Sequence, residues 1–237
     1  MNNFSYFCDL KFNKTFYNSL KKKKKMITSS TNYASAIILA AGNSDRMGFP
    51  KAFLKWNEDI TFVEKIILEY KKFGCRNIVV VFNVETKFYY LKNYYKNFNG
   101  VKVITNQHNS LGRFFSFKMC LQSLSEEYPC FVSNIDNPFV DQHTLETIFK
   151  NRNTVHKGYT VPTFQKQGGH PILLNEPLID GICHIKENDL NIKDVLARYD
   201  KKEIEVENPN ILHNINTPDE YKRIICVPNK IKCFNEV

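Results

Sequence analysis

The chain has 237 residues, of which 43% are hydrophobic and 24% charged, and these values exclude a largely disordered protein, a fibrous repeat and a disulfide-stapled scaffold. It contains no run of 18 uninterrupted apolar residues, which excludes a membrane-spanning helix. The net charge is +9, but seven lysines and one aspartate in residues 1–25 account for +6 of it. The rest of the chain is nearly neutral, which argues against a nucleic-acid-binding domain. Nucleic-acid binding stays as an alternative that would depend on the lysine-rich segment alone.

That lysine-rich segment comes first along the chain. It has neither the continuous apolar core nor the small-residue cleavage site of a signal peptide. We therefore predict that residues 1–30 form a basic, disordered extension and that a single domain spans residues 31–237. Met26 is the expected biological start, because sequence typical of a folded domain begins only after it.

Short apolar runs rich in β-branched residues then alternate with segments of helical period. A strand at 34–39 is followed by a helix at 61–73, which begins with capping-box spacing and is stopped by Gly74. Next come a strand at 77–82, a helix at 86–97, a strand at 101–105, a helix at 112–124, a strand at 130–135 and a helix at 141–150. The last predicted elements are strands at 159–164, 171–174 and 203–206, with helices at 189–199 and 217–225.

Strands with little alternation, separated by helices, are typical of a parallel sheet that is covered on both faces. We therefore predict an α/β fold: a single-domain, open, mostly parallel sheet flanked by helices on both faces, of the Rossmann-like kind. Ligands of such sheets bind at the carboxyl ends of the strands. The segments that follow Leu39 and Ile135 are thus the first candidates for a site.

The seven cysteines form no C-x-x-C pair, and their spacing matches no zinc site. An odd number of cysteines scattered through apolar stretches is typical of reduced, buried thiols. We therefore predict a cytoplasmic protein without a structural metal.

The segment Leu39–Lys51 reads LAAGNSDRMGFPK and leaves the first strand through a glycine-containing turn. Main-chain N–H groups in such a turn bind anions, and Arg46 and Lys51 supply the charge that would hold a triphosphate. The segment is neither a Walker A loop nor a dinucleotide fingerprint, because its glycine spacing fits neither pattern. An ordinary surface turn is the alternative interpretation of its composition.

Asp136 follows the predicted strand at 130–135, at the end of the sheet where ligands bind. A carboxylate that faces a triphosphate there is expected to hold Mg²⁺, which prefers one or two carboxylates together with phosphate oxygens and waters. Mn²⁺ could take its place. A turn-forming aspartate before Pro138 is the alternative, and the upstream glycine-containing turn favours the metal.

The segment Leu39–Lys51 resembles the L-A-A-G-x-S-x-R-M-G-x-x-K signature of the molybdenum-cofactor nucleotidyltransferases, within the wider nucleoside-triphosphate transferase superfamily. Four further segments resemble motifs of that family in the same order: Gly112–Ser116, Asp136-Asn137-Pro138, Gly168-Gly169-His170-Pro171 and Asn214–Glu220. The resemblance spans roughly residues 34–225. It implies the nucleotidyltransferase form of the predicted fold.

The resemblance also implies roles for individual residues. The base of the nucleotide would lie against the backbone of Leu39, Ala40, Ala41 and Gly42, with Ser116 nearby. Gly169 and His170 would belong to the acceptor pocket, although a structural hydrogen bond is an equal alternative for His170. Asn214 and Asn216 would add to the metal site at positions where family members often have aspartate, or they could cap the last helix instead.

The reaction implied is a Mg²⁺-dependent transfer of a nucleoside monophosphate from a nucleoside triphosphate to a phosphorylated acceptor, with release of pyrophosphate. Arg46, Lys51 and Asp136 would carry the catalysis. The Leu-Ala-Ala-Gly and Gly-His-Pro elements favour CTP and molybdopterin as substrates, whereas Asn-Ile-Asn-Thr-Pro is more similar to the guanylyltransferases, which use GTP. Sugar- or alcohol-phosphate acceptors and a non-catalytic nucleotide-binding regulator remain alternatives.

Overall fold

The computed structural model describes residues 33–93, 98–125 and 128–226. Within these ranges, eight strands form one sheet. The strands are β1 (Ser35–Ala40), β2 (Asn77–Asn83), β3 (Lys102–Asn106), β4 (Cys130–Asn134), β5 (Gly158–Phe164), β6 (Gln167–Gly168), β7 (Ile172–Leu174) and β8 (Asp200–Glu205). The predicted extension at residues 1–30 lies outside the described residues.

The sheet is mixed but mostly parallel. Its strand order is β3-β2-β1-β4-β7-β5-β6, and β8 also pairs with β5. Strands β1 to β4 are parallel to one another, as are β5 and β8, whereas β7 runs antiparallel between β4 and β5 and β6 runs antiparallel to β5. The prediction of an open, mostly parallel α/β sheet is confirmed, and the antiparallel β7 is the feature that the pattern of strands and helices did not indicate.

Seven α-helices within the described ranges connect or follow the strands. They are α1 (Phe62–Phe73), α2 (Val84–Asn93), α3 (Gly112–Gln122), α4 (Gln142–Lys150), α5 (Glu176–Cys183), α6 (Ile192–Leu196) and α7 (Pro218–Tyr221), which continues into one π-helical turn at Lys222–Cys226. None of the helices in these ranges is long and apolar enough to cross a membrane.

The helices cover both faces of the sheet, as predicted. Alternate residues of β1 point to opposite faces: Ile38 packs in one buried cluster with α1 and α4, and Ile37 packs in the other with α3 and α5. Every residue of β1 is buried. A strand that is apolar on both faces is what a covered parallel sheet requires.

The boundaries of α1 follow the local signals. The backbone N–H of Thr61 donates to the Glu64 carboxylate at 2.7 Å, which completes the predicted capping box. The helix ends at Gly74, whose φ of 98° is the left-handed conformation that glycine adopts without steric cost.

Several elements differ from the predictions. Helix α5 and the short strand β6 were not predicted, helix α6 covers only the middle of the predicted 189–199 segment, and residues 94–97 of the predicted 86–97 helix lie outside the described ranges. Cys75, Cys120, Cys130 and Cys183 are free thiols as predicted, whereas Cys226 is disulfide-bonded.

Candidate active site

The carboxyl ends of β1, β3 and β4 meet at a cavity of about 280 Å³, which we call the strand-end cavity. The amino-terminal turn of α3 forms part of its wall. It is lined by Leu39, Ala41, Gly42, Asn43, Ser44, Lys51, Asn106, Asn109, Gly112, Arg113, Ser116, Asn134, Ile135 and Asp136. This is the edge of the sheet at which ligands of open α/β proteins bind.

The loop that follows β1 forms one side of this cavity. It turns at Ser44, whose φ of 60° lies in the left-handed region, and again at Gly48, whose φ is 69°. The Ser44 hydroxyl accepts a hydrogen bond from the main-chain N–H of Lys51 at 3.3 Å. Gly42 is exposed, and a Cβ atom at that position would meet no protein atom within 4 Å. The main chain therefore leaves room for a ligand to approach.

Lys51 reaches across the site from the end of this loop. Its Nζ donates to Asn216 Oδ1 at 2.7 Å. Burial lowers the pKa of Lys51, the carboxylate of Asp136 opposes that shift, and the positive charges of Arg46 and Arg113 add to it. The half-buried ammonium thus lies among other cations, which is an arrangement that favours binding of an anion.

Arg46 lines a smaller cavity of about 180 Å³, which we call the Arg46 cavity. Lys51 belongs to this cavity and to the strand-end cavity, and Asn216 belongs to the Arg46 cavity alone. Arg46 and Lys51, the two predicted basic residues, therefore line adjoining cavities, and Lys51 lines both of them.

Asp136 is held by its main chain at the end of β4. The N–H of Ile135 donates to the carbonyl of Leu39 at 3.1 Å, and the N–H of Ile215 donates to the carbonyl of Asp136 at 2.7 Å. The side-chain atom Asp136 Oδ1 is buried and has no hydrogen-bond partner among the described residues. A buried carboxylate oxygen without a partner fits a metal ligand.

The amino terminus of α3 faces the same cavity. Within the described part of the chain, no side chain caps this helix and its first turn holds no acidic residue. The N–H of Gly112 donates to Asn109 O, and the helix dipole favours an anion beside the turn that follows. Ser116, one turn further, is buried and accepts a hydrogen bond from Asn106 Nδ2 at 2.8 Å.

A larger cavity of about 750 Å³ adjoins the strand-end cavity and shares Leu39, Arg113 and Asn134 with it; we call it the His170 cavity. Its wall combines apolar side chains of β5 and α6 with polar groups. Gly169 and His170 both line it, and Lys193 adds a second basic residue. The two cavities together offer adjacent places for two substrates.

Residues 36–203, more than half of the chain, match the family described as the MobA-like NTP transferase domain. The chain belongs to this family. The resemblance seen in the motifs and the predicted class of enzyme, a nucleotidyltransferase, are thereby confirmed.

Two curated relatives and one solved structure are similar to this chain. A molybdenum cofactor cytidylyltransferase of Escherichia coli (strain K12) is 29% identical over 185 residues, which are 78% of this chain and 92% of the relative. A probable molybdenum cofactor guanylyltransferase of Clostridium perfringens is 29% identical over 210 residues, 81% of this chain and 96% of the relative. A Mycobacterium tuberculosis H37Rv protein solved in complex with manganese is similar in fold, with a TM-score of 0.63 and 16% identity over 81% of this chain and 97% of that one.

The MobA-like structure brings most of the predicted site residues together. Leu39, Ala41, Gly42, Lys51, Ser116 and Asp136 line the strand-end cavity, Arg46 and Asn216 line the Arg46 cavity, and Gly169 and His170 line the His170 cavity. Two residues are not among them. Ala40 is buried in the core with its side chain against the α1 face of the sheet, and Asn214 is exposed and lines none of these cavities.

Sequence reasoning missed three groups that this MobA-like site contains. Asn106 lies at the end of β3, Asn134 at the end of β4, and Arg113 in the first turn of α3. The rule that ligands bind at the carboxyl ends of parallel strands was used for β1 and β4 alone, where it indicated the segments that follow Leu39 and Ile135. Applied to every parallel strand, it would have indicated Asn106 as well.

The loop around Gly169 is tightly packed. A Cβ atom at Gly169 would lie 2.5 Å from the carbonyl oxygen of Ile211. That carbonyl accepts a hydrogen bond from the N–H of His170 at 3.1 Å, so it cannot withdraw without breaking this contact. Glycine is therefore required at this position.

We expect Gly169→Ala to lower the free energy of unfolding by about 1–3 kcal/mol, the usual cost of forced overpacking. Chemical denaturation followed by circular dichroism measures this difference. Gly42→Ala is the matched control, because its Cβ meets no protein atom, and its stability should stay within about 0.5 kcal/mol of wild type. Equal stability of the two variants would contradict the close packing of Gly169.

Proposed function

We propose that this protein transfers a nucleoside monophosphate from a nucleoside triphosphate to a phosphorylated acceptor and releases pyrophosphate. One observation carries the proposal: Lys51 and Asp136, which are far apart in sequence, line one cavity together with the uncapped amino terminus of α3. A basic residue, a carboxylate oxygen without a hydrogen-bond partner among the described residues and the positive end of a helix dipole fit a metal-bound triphosphate.

The chain's own residues would act by position and charge. The main chain around Gly42 and the first turn of α3 would bind phosphate oxygens, and Lys51 would neutralise negative charge that builds up during transfer. Arg46 would reach the triphosphate from the adjoining cavity. The acceptor's phosphate oxygen attacks the α-phosphorus, the bond to the β-phosphate oxygen breaks, and pyrophosphate leaves with the electron pair, so that no protein nucleophile is needed.

We propose Mg²⁺ as the metal, with Mn²⁺ as a substitute. Asp136 is the ligand that the structure supports, since its Oδ1 atom has no hydrogen-bond partner among the described residues. The described ranges hold no group of three or more His, Cys, Asp or Glu that could bind a metal alone. Asp136 and the phosphate oxygens would therefore hold the ion, which would neutralise the charge of the triphosphate.

The two predicted asparagines fit the metal site less well. Asn214 lines none of the three cavities, and the Oδ1 atom of Asn216 already accepts a hydrogen bond from Lys51 at 2.7 Å. The M. tuberculosis protein of similar fold was solved in complex with manganese, which supports a divalent metal here. The proposal that Asp136 is a metal ligand rests on the geometry of this chain alone.

The His170 cavity is the proposed place of the acceptor. It adjoins the strand-end cavity, so an acceptor phosphate bound there would lie beside the triphosphate. Both curated relatives are named for the molybdenum cofactor, which supports our choice of molybdopterin as the acceptor. We favour CTP over GTP, supported by the Leu-Ala-Ala-Gly and Gly-His-Pro elements and by the cytidylyltransferase among the relatives.

The test is a pyrophosphate-release assay with each of the four nucleoside triphosphates, molybdopterin and Mg²⁺. We expect turnover with CTP to exceed that with GTP, and EDTA to abolish it, because the triphosphate charge is then left without its metal. Added Mn²⁺ should restore it. Release of pyrophosphate only with GTP would assign the guanylyltransferase reaction, and turnover only with a sugar or alcohol phosphate would assign that acceptor.

Binding of nucleotide without pyrophosphate release for any acceptor would support the alternative of a non-catalytic regulator. Isothermal titration of CTP and GTP in the presence of Mg²⁺ gives the binding half of this comparison. It also separates loss of nucleotide binding from a wrong choice of acceptor.

A further inference from the structure

The two proposed substrate cavities meet at a contact between two side chains. Asn134 lines both cavities, and its Nδ2 atom lies 2.8 Å from Nε2 of His170. Asn134 is the last residue of β4, and His170 lies in the loop that joins β6 to β7. The sequence motifs assign no role to Asn134.

This contact favours one chemical form of His170. With the Asn134 amide nitrogen facing the ring, as the structure has it, the amide donates the hydrogen bond and Nε2 offers a lone pair. The ring proton of the neutral imidazole is then on Nδ1. A protonated ring would carry a hydrogen on Nε2 that points at the amide hydrogens of Asn134. Burial also lowers the pKa of His170, which favours the neutral ring; the charges of Arg113 and Lys193 act in the same direction, and Asp136 opposes them.

The Nδ1 atom of His170 is left without a partner. It is buried and has no hydrogen-bond partner among the described residues. The main chain on either side of it is held, because Gly169 N–H donates to Pro162 O at 2.8 Å and His170 N–H donates to Ile211 O at 3.1 Å. A buried donor costs free energy unless a partner satisfies it. Because His170 lines the His170 cavity, an acceptor that enters this cavity is the partner we consider.

We propose that Asn134 is a positioning residue that holds His170 as the Nδ1–H tautomer, and that His170 in this form donates a hydrogen bond to a phosphate oxygen of the acceptor. This inference rests on the proposed function for the identity of the acceptor. The tautomer rests on the orientation of the Asn134 amide toward Nε2, and its test does not need turnover.

The first experiment measures the tautomer directly. Long-range ¹H–¹⁵N correlation spectra of the full chain, labelled at histidine nitrogens, distinguish a nitrogen that carries a proton from one that carries a lone pair. We expect His170 to show a protonated Nδ1 and an unprotonated Nε2 near neutral pH, and Asn134→Ala to move its population toward the Nε2–H form. A wild-type ring with its proton on Nε2 would overturn the proposal, whatever the enzyme's activity.

The second experiment uses two substitutions, each of which keeps a nitrogen donor at the position of only one of the two ring nitrogens. The amide nitrogen of His170→Asn occupies about the position of Nδ1, whereas that of His170→Gln occupies about the position of Nε2. Inorganic phosphate serves as the probe for the acceptor's phosphate group, and molybdopterin serves for turnover. We expect His170→Gln to weaken phosphate binding and to raise the KM for molybdopterin by about 10- to 100-fold, the usual effect of losing a hydrogen bond to a charged group.

His170→Asn should keep both values within a few-fold of wild type, and both variants should bind CTP as wild type does. Equal losses in the two variants would contradict the Nδ1 donor. If the tautomer and the phosphate results hold but molybdopterin is not turned over, then the proposed acceptor is wrong and the role of Asn134 and His170 stands. If nucleotide binding also fails in the wild type, the proposed function itself is wrong.

Discussion

Lys51→Ala is expected to lower kcat by about 100- to 1000-fold, the effect of losing one preorganised electrostatic group in an active site. The ammonium of Lys51 is half-buried between the strand-end cavity and the Arg46 cavity, where it would face the triphosphate. Removal also breaks the 2.7 Å hydrogen bond to Asn216, so the free energy of unfolding should change by less than about 1.5 kcal/mol. Steady-state kinetics and chemical denaturation measure the two effects.

Lys55→Ala is the matched control for this prediction. Lys55 lies four residues further along the chain, and its Nζ donates to the carbonyl of Glu58 rather than into any of the three cavities. Its kcat should equal that of wild type. If Lys51→Ala kept more than half of wild-type turnover while Asp136→Ala had none, the phosphate-binding loop would be misplaced even though the class of enzyme would stand.

Asp136→Ala should lose at least as much activity as Lys51→Ala and should lose its dependence on divalent metal. Asp136→Asn is the sharper variant, because it keeps the volume of the side chain and the main-chain contact with Ile215 but removes the charge that would hold the ion. We expect kcat to fall by about 100- to 1000-fold in either variant. Titration with Mn²⁺ in the presence of CTP, followed by electron paramagnetic resonance, measures the metal separately from turnover.

Asp59→Asn serves as the control for the change of charge, since Asp59 is exposed and lines none of the three cavities. Unchanged Mn²⁺ affinity in Asp136→Asn would rule out Asp136 as the metal ligand. A loss of kcat with normal Mn²⁺ binding would instead assign Asp136 a role in keeping Lys51 charged, because its carboxylate opposes the lowering of the Lys51 pKa by burial.

Local sequence patterns predict the elements whose position and ends are set by residues close together in the chain. Strand β1 could be located because six consecutive buried residues are needed between two helical layers, and α1 because Thr61, Glu64 and Gly74 mark its ends. Helix α5 carried a similar start signal that the sequence analysis overlooked: Asn175 caps it, and its side chain accepts from the N–H of Leu178 at 3.1 Å. Pro177 in its first turn adds to that signal.

The direction of β7 could not be predicted in the same way. Its three residues are buried like those of a parallel strand, and its antiparallel pairing with β4 is decided by the path of the chain rather than by its composition. The same limit applies to the site. The motifs indicated Lys51, Asp136 and His170, whereas the contact of Asn134 with His170 joins residues 36 positions apart and depends on where β7 lies.

The segment that follows β8 links the two walls of the site. The carbonyl of Ile211 accepts hydrogen bonds from His170 N–H and from Asn137 Nδ2, and the N–H of Ile215 donates to the carbonyl of Asp136. All eight strands of the described residues end before residue 206, so the segment at 211–215 is among the last parts of the site to leave the ribosome. The turn that carries Asp136 and the loop that carries His170 can therefore make these contacts only after residues 211–215 have emerged.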